Sequence, residues 1–282
     1  APAEARRADA PGGADEAPPA AEPEEGALPG SSAARLLRRK PFEACTAADL
    51  AAMERVLARM ALRLATRRSR RLVPTRGRGV PDPRRSLRRA VATHGEPLLL
   101  ARRARAVEVP KLVFLCDTSG SMDAHARFLL AFLLSLRRAA RSTEVFAFNT
   151  ELVRLTPLLA RGDGARVLDR VAASVPDWSG GTRIGECLAR FVDDHLRARV
   201  DSRTVVVVLS DGLDRGEPAV LADAMRALRS RARKVLWLNP LLGDPRYEPT
   251  ARGMAAALPF VDALLPAHDL ASLEALLPHL SA

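Results

Sequence analysis

From residue 106 to the end, short apolar runs alternate with longer stretches whose apolar residues return every three or four positions. The runs "KLVFLC" (111–116), "EVFAFN" (144–149), "ELVRLT" (151–156), "TVVVVLS" (204–210), "KVLWLN" (234–239) and "VDALLP" (261–266) read as strands. Between them, "HARFLLAFLLSLRRAA", "PAVLADAMRALRSRA", "TARGMAAAL" and "DLASLEALLPHL" carry helical periodicity, and further helices are predicted near 163–174 and 183–198. Strand and helix in alternation, with one pair of strands close enough for a hairpin, predict an α/β fold. It is a doubly wound, mostly parallel six-stranded sheet with helices on both faces. Ligands of such sheets bind at the carboxyl ends of the strands.

The first hundred residues follow other rules. "AADLAAMERVLARMALRLA" places Leu50, Met53, Val56, Leu57, Met60 and Leu64 on one helical stripe behind Thr46, a suitable N-cap. A helix with one apolar stripe needs a surface to cover it, so it is expected to pack on the main domain. Pro and Gly then punctuate a segment with a short Arg-rich helix and an extended "PLLLA". The division expected is an acidic, Ala/Pro-rich disordered tail (1–40), a helical, Arg-rich N-terminal arm (41–105) and the α/β domain (106–282).

Charge sharpens this division. Net charge is +11, yet residues 1–34 hold seven acids against two arginines, whereas residues 63–105 hold fourteen arginines against Asp82 and Glu96. Such a belt suits nucleic acid or an acidic protein. It has no aromatic residue for base stacking and no nucleic-acid motif beside it, which favours a protein, with Arg84, Arg85, Arg88 and Arg89 as contacts. Three cysteines without C-x-x-C spacing argue against a disulfide framework or structural zinc and fit a reducing cytoplasm. The apolar run "FLLAFLL" falls far short of the roughly 20 residues that span a bilayer. The start shows no basic-then-apolar leader, which fits the same compartment.

Candidate chemistry gathers where strands end. In "VFLCDTSGSMDAH", Asp117, Ser119 and Ser121 follow the first strand of the domain; in "VVVVLSDGLD", Asp211 follows another, and Gly212 permits a tight turn there. "DWSGGTRIGECL" presents Thr182 after two glycines. Two carboxylates and three hydroxyls are hard oxygen donors, suited to Mg2+ or Mn2+ with water completing an octahedron, and no histidine pair has metal-binding spacing. Taken singly, Ser121 or Thr182 is as well explained as a helix cap. As a set of five they point to a metal.

The run "DTSGS", with Thr182 and Asp211 in order and context, resembles the metal-ion-dependent adhesion site of von Willebrand factor A (VWA) domains. "LRRA…GEPLLLARRAR", "WSGGTRIGECL" and "VLWLNPLLGDPRYEPTARGMAAALPFVDALLPAHDL" bring the resemblance closer to the CoxE-like group, over roughly residues 41–282. What the resemblance implies is a non-enzymatic, metal-dependent protein-binding adaptor that works with a MoxR-type AAA+ ATPase. In some members the target is a molybdenum-containing carbon monoxide dehydrogenase under maturation. It implies Ser119, Ser121 and Thr182 as direct ligands and Asp117 and Asp211 as direct or water-mediated ones. An acidic side chain of a protein ligand would complete the shell. Trp178, beside Thr182, is a candidate partner contact, or else packs on a neighbouring loop.

An enzyme remains the alternative, with Asp117 as the nucleophile of a phosphotransferase or in a metal-assisted hydrolase. The D-x-D arrangement of the haloacid-dehalogenase-like phosphotransferases would need a second acid where Ser119 stands. No Walker A lysine, G-x-S-x-G or G-x-G-x-x-G accompanies it.

Overall fold

The computed structural model describes residues 35–65, 68–92, 100–107, 111–119, 122–139, 142–159 and 182–280. The acidic segment 1–34, the helix predicted near 163–174, Ser121 and Trp178 lie outside these residues, while 35–39 are helical. None of the described helices is long and apolar enough to cross a membrane.

The main sheet is built from β4 (Lys111–Asp117), β5 (Thr143–Phe148), β6 (Leu152–Arg154), β7 (Thr204–Leu209), β8 (Lys234–Asn239) and β9 (Ala263–Pro266). Its order is β6-β5-β4-β7-β8-β9. All neighbours are parallel except β5 and β6, which form the predicted hairpin. Because β4 pairs with β5 on one side and β7 on the other, the chain reverses its winding direction between β4 and β7. A crevice opens there at the carboxyl ends.

Side chains of successive strand residues point to opposite faces, and the two cores divide on that alternation. Phe114, Cys116, Val145, Val205, Val207 and Leu236 face one layer, with α1 (Ala47–Ala65), α3 (Asp123–Ala139), the short α4 (Thr156–Leu159) and α9 (Leu270–Leu280). Val113, Leu115, Phe146, Val206, Val208 and Trp237 face the other, with α5 (Ile184–Asp194), α7 (Pro218–Arg231) and α8 (Arg252–Ala257). The helix expected over 183–198 is parted at His195 into α5 and the short α6 (Leu196–Arg199).

Helix α1 begins as its sequence predicts. The Thr46 hydroxyl accepts the Asp49 amide at 3.3 Å while the Asp49 carboxylate accepts the Thr46 amide at 2.7 Å, a reciprocal capping box. Lys40 donates to the same carboxylate at 2.6 Å. Together the Lys40 ammonium and the Thr46 donors hold Asp49 at a pKa of about 2. Met53, Leu57, Met60 and Ala61 are buried in the first core, so α1 packs on the main domain.

The segment after α1 departs from a purely helical arm. Strands β1 (Arg68–Thr75), β2 (Val80–Pro81) and β3 (Arg102–Val107) form an antiparallel sheet of order β1-β3-β2, with α2 (Pro83–Ala92) inserted before β3. "RSRRLVPT" and "RRARAV" have too few apolar positions for a period of two to stand out, so pairing rather than patterning defines them. Among the described residues, neither core of the main domain draws a side chain from 68–107.

Candidate metal centre

Strand β4 ends on Asp117, and the register puts it opposite Phe148 of β5, with Cys116 opposite Leu209 of β7. The two residues that follow Leu209 are Ser210 and Asp211, so two carboxylates stand side by side at the winding reversal. Asp117 is 1% exposed; Ser119, Thr182, Ser210 and Asp211 are also buried. Cys116 points into the first core as its position in the strand requires, and burial pushes its thiol up to about 12.

Hydrogen bonds fix Asp117 from three chain segments. One carboxylate oxygen, Oδ1, accepts the Ser119 amide at 2.9 Å and lies 3.4 Å from the Thr182 hydroxyl that donates to it. The other, Oδ2, accepts the Ser210 hydroxyl at 2.7 Å, and the Ser210 oxygen in turn accepts the Gly212 amide at 3.0 Å. Asp211 accepts the Leu213 amide at 2.9 Å. Burial nevertheless pushes the Asp117 pKa up to about 6, against the pull of the Ser210 and Ser119 bonds, and the neighbouring Asp211 charge adds to the rise.

This arrangement fits a hard divalent cation. Two buried carboxylates and the hydroxyls of Ser119 and Thr182 converge, and burial of negative charge raises the pKa of Asp117 in a way that a cation's charge would reverse. Among the described residues no cluster of three or more His, Cys, Asp or Glu side chains offers another metal site. Of the five predicted ligands, the structure brings Asp117, Ser119, Thr182 and Asp211 to one place; Ser121 lies outside the described residues.

Five supporting residues escaped the sequence analysis. Helix α5 has Arg183 at its N-cap position with no side-chain cap, and Asp214 fills the role from the β7 loop, accepting the Ile184 amide at 2.9 Å and the Gly185 amide at 3.2 Å. The Arg215 amide donates to the Thr182 carbonyl at 3.1 Å, so the Thr182 and Asp211 loops are stitched together twice. Trp237 donates its indole N–H to the Ser210 carbonyl at 2.9 Å, and Asn239 and Tyr247 both donate to the Asp211 carbonyl. Ser210 itself, beside Asp211 at a strand end, could have been found from its position. Asp214 could not, because the helix it caps lies thirty residues earlier.

Gly212 sits at φ 81°, a conformation that a β-carbon penalises, and such a carbon would lie 2.3 Å from Met254 Cγ. The turn that presents Asp211 therefore penalises any residue with a side chain. Far from this crevice in chemistry, Arg84, Arg85, Arg88 and Arg89 line one solvent-open cleft together with Asp82.

Similar solved structures include an aerotolerance-related membrane protein from Bacteroides fragilis, 12% identical, covering 60% of this chain and 96% of that one at a TM-score of 0.36. Proximal thread matrix protein 1 from the mussel byssus, solved with a zinc-occupied MIDAS motif, is 13% identical over 61% of this chain and 46% of its own, with a TM-score of 0.41. The RO (RSR) protein of Deinococcus radiodurans is 18% identical over 88% of this chain and 48% of its own, with a TM-score of 0.40. The chain thus spans under half the length of the last two. All three superpose weakly, and the fold stands on strand order and register. No curated protein matches the chain. The family model for VWA domain containing CoxE-like proteins matches residues 53–273, and the chain belongs to that family.

Proposed function

We propose that this protein is a non-enzymatic adaptor that binds a protein ligand through a divalent cation held by Asp117, Ser119, Ser121, Thr182 and Asp211. The carrying observation is the Asp117 carboxylate, buried at the winding reversal beside Asp211 and tied to Ser119, Thr182 and Ser210. Mg2+ or Mn2+, when bound, supplies an electrophilic position for an Asp or Glu carboxylate of another protein. The chain's own residues do the rest. Ser210 and the Ser119 amide orient Asp117, Asp214 fixes the loop bearing Thr182, and Asn239 and Tyr247 hold the Asp211 turn.

The hydrogen bonding weighs against Asp117 as a nucleophile, since both its oxygens accept donors from the protein and Ser119 stands where phosphotransfer chemistry wants a second acid. The family resemblance supports a MoxR-type AAA+ ATPase as partner, and maturation of a target enzyme such as a molybdenum-containing carbon monoxide dehydrogenase as the task. The cleft at Arg84, Arg85, Arg88 and Arg89 offers such a partner a second, acid-complementary contact.

Calorimetric titration with Mg2+ and Mn2+ tests the centre. Wild type binds, and Asp117→Ala and Thr182→Ala lose at least tenfold in affinity while keeping the far-UV spectrum. Undiminished affinity in both variants rejects the site. Capture of the ATPase with and without EDTA tests the socket: equal capture in EDTA shows that the partner docks elsewhere.

A further inference from the structure

Helix α2 presents charges in an arrangement that the metal reading leaves unexplained. Arg84 and Arg88 form one i,i+4 stripe and Arg85 and Arg89 the next, and all four line a cleft of about 580 Å³. Like charges at that spacing destabilise a helix. The one acid in the cleft, Asp82, accepts the Arg85 amide at 3.1 Å as a helix cap. On the same helix Leu87 and Val91, also i,i+4, are 70% and 75% exposed, while Ser86 and Ala90 are buried. The surface therefore combines concentrated positive charge with an uncovered apolar pair.

The chain contains a complementary segment. Residues 1–34 hold seven acids and two arginines, with Asp15 and Glu16 adjacent, Glu22, Glu24 and Glu25 within four positions, and Leu28 three residues on. From residue 35 an extended chain reaches about 25 Å to Leu28, about 35 Å to Glu25 and about 70 Å to Asp15. A folded chain of this size has a radius of gyration of about 19 Å. The segment's reach is thus of the same order as the dimensions of the folded chain.

We propose that the acidic segment 15–28 docks in cis on the α2 cleft, its carboxylates on Arg84, Arg85, Arg88 and Arg89 and Leu28 on Leu87 and Val91, so that any acidic ligand must displace it. The cleft thus has a built-in competitor, and this inference stands apart from the metal centre. Tethering provides an effective concentration of about 1 mM. A segment with an intrinsic dissociation constant of about 0.1 mM then weakens an external acidic ligand about tenfold.

The test uses the full chain and a fluorescein-labelled decaglutamate as probe, with anisotropy read at low and high salt. One variant carries Asp15→Asn, Glu16→Gln, Glu22→Gln, Glu24→Gln and Glu25→Gln; a second carries Arg84→Ala, Arg85→Ala, Arg88→Ala and Arg89→Ala; a third carries both sets. Neutralising the segment should tighten the probe about tenfold at low salt, less at high salt, and should change nothing once the four arginines are gone. An equal gain in both backgrounds would reflect overall charge and overturn the proposal. So would no gain at all, or a gain that fades on dilution of the protein, which assigns the contact to a second copy. A single-stranded oligonucleotide that binds the cleft more tightly than decaglutamate, irrespective of the segment's charge, would overturn it in favour of nucleic acid.

Discussion

Two regions of this molecule concentrate charge in opposite ways. At the crevice between β4 and β7, two carboxylates are buried, and Asp117 has a named donor for each oxygen from a separate part of the chain. On α2, four guanidinium groups stand around a solvent-open cleft with one carboxylate among them. Burial makes a charge costly unless its partners are in place, so the crevice needs fixed geometry and obtains it from sheet topology. Water and salt screen the arginines, so α2 can carry them on a small sheet outside both cores at little cost. Sequence changes should therefore have large effects at the first region and small ones at the second.

The largest effect belongs to Gly212→Ala. Positive φ together with the clash on Met254 should cost about 2–4 kcal/mol, seen as a lowered thermal midpoint. An unchanged midpoint would mean that the Asp211 turn is softer than its packing implies. Ser210→Ala comes next. It removes the donor to Asp117 Oδ2 and the acceptor of the Gly212 amide, for about 1.5–3 kcal/mol in denaturant unfolding, and it should weaken Mg2+ binding as well.

In the N-terminal region the effects shrink. The Asp49 pKa in the folded chain, about 2, lies below the ordinary carboxylate value of roughly 3.9, so its contribution is complete above that value and is lost as pH falls from about 4 towards 2. Asp49→Asn should flatten that part of the acid-unfolding profile. A wild-type slope between those values would remove the capping box from the account of α1. Smallest of all, replacing Arg84, Arg85, Arg88 and Arg89 together with Ala should move the thermal midpoint by an amount equivalent to about 0.5 kcal/mol or less, since exposed surface positions rarely matter more. A large loss would show that α2 depends on its charges for folding.

The sheet was legible in the sequence because each strand of the main domain is a compact apolar run and each helix keeps its period. "TVVVVLS" is apolar on both faces because both faces of β7 are covered. Thr46 as the α1 cap was legible for a similar reason, since capping is decided within four residues. The small sheet was not, because β1 and β3 hold arginines where strands usually show apolar alternation.

The same division runs through the site. Asp117, Ser119, Thr182 and Asp211 could be chosen from the sequence, because each stands where an apolar run ends or a glycine pair meets a helix. Their convergence, and the support of Ser210, Asp214, Trp237, Asn239 and Tyr247, could not. The Ser210 bond to Asp117 spans 93 positions of chain, and the Asp214 bonds to the start of α5 span about thirty. Local pattern determines which residues can form strands, helices and caps, since those choices depend on neighbours within a turn or two. Which loops meet at the crevice was decided only by strand order, because parallel pairing joins segments that no local rule connects.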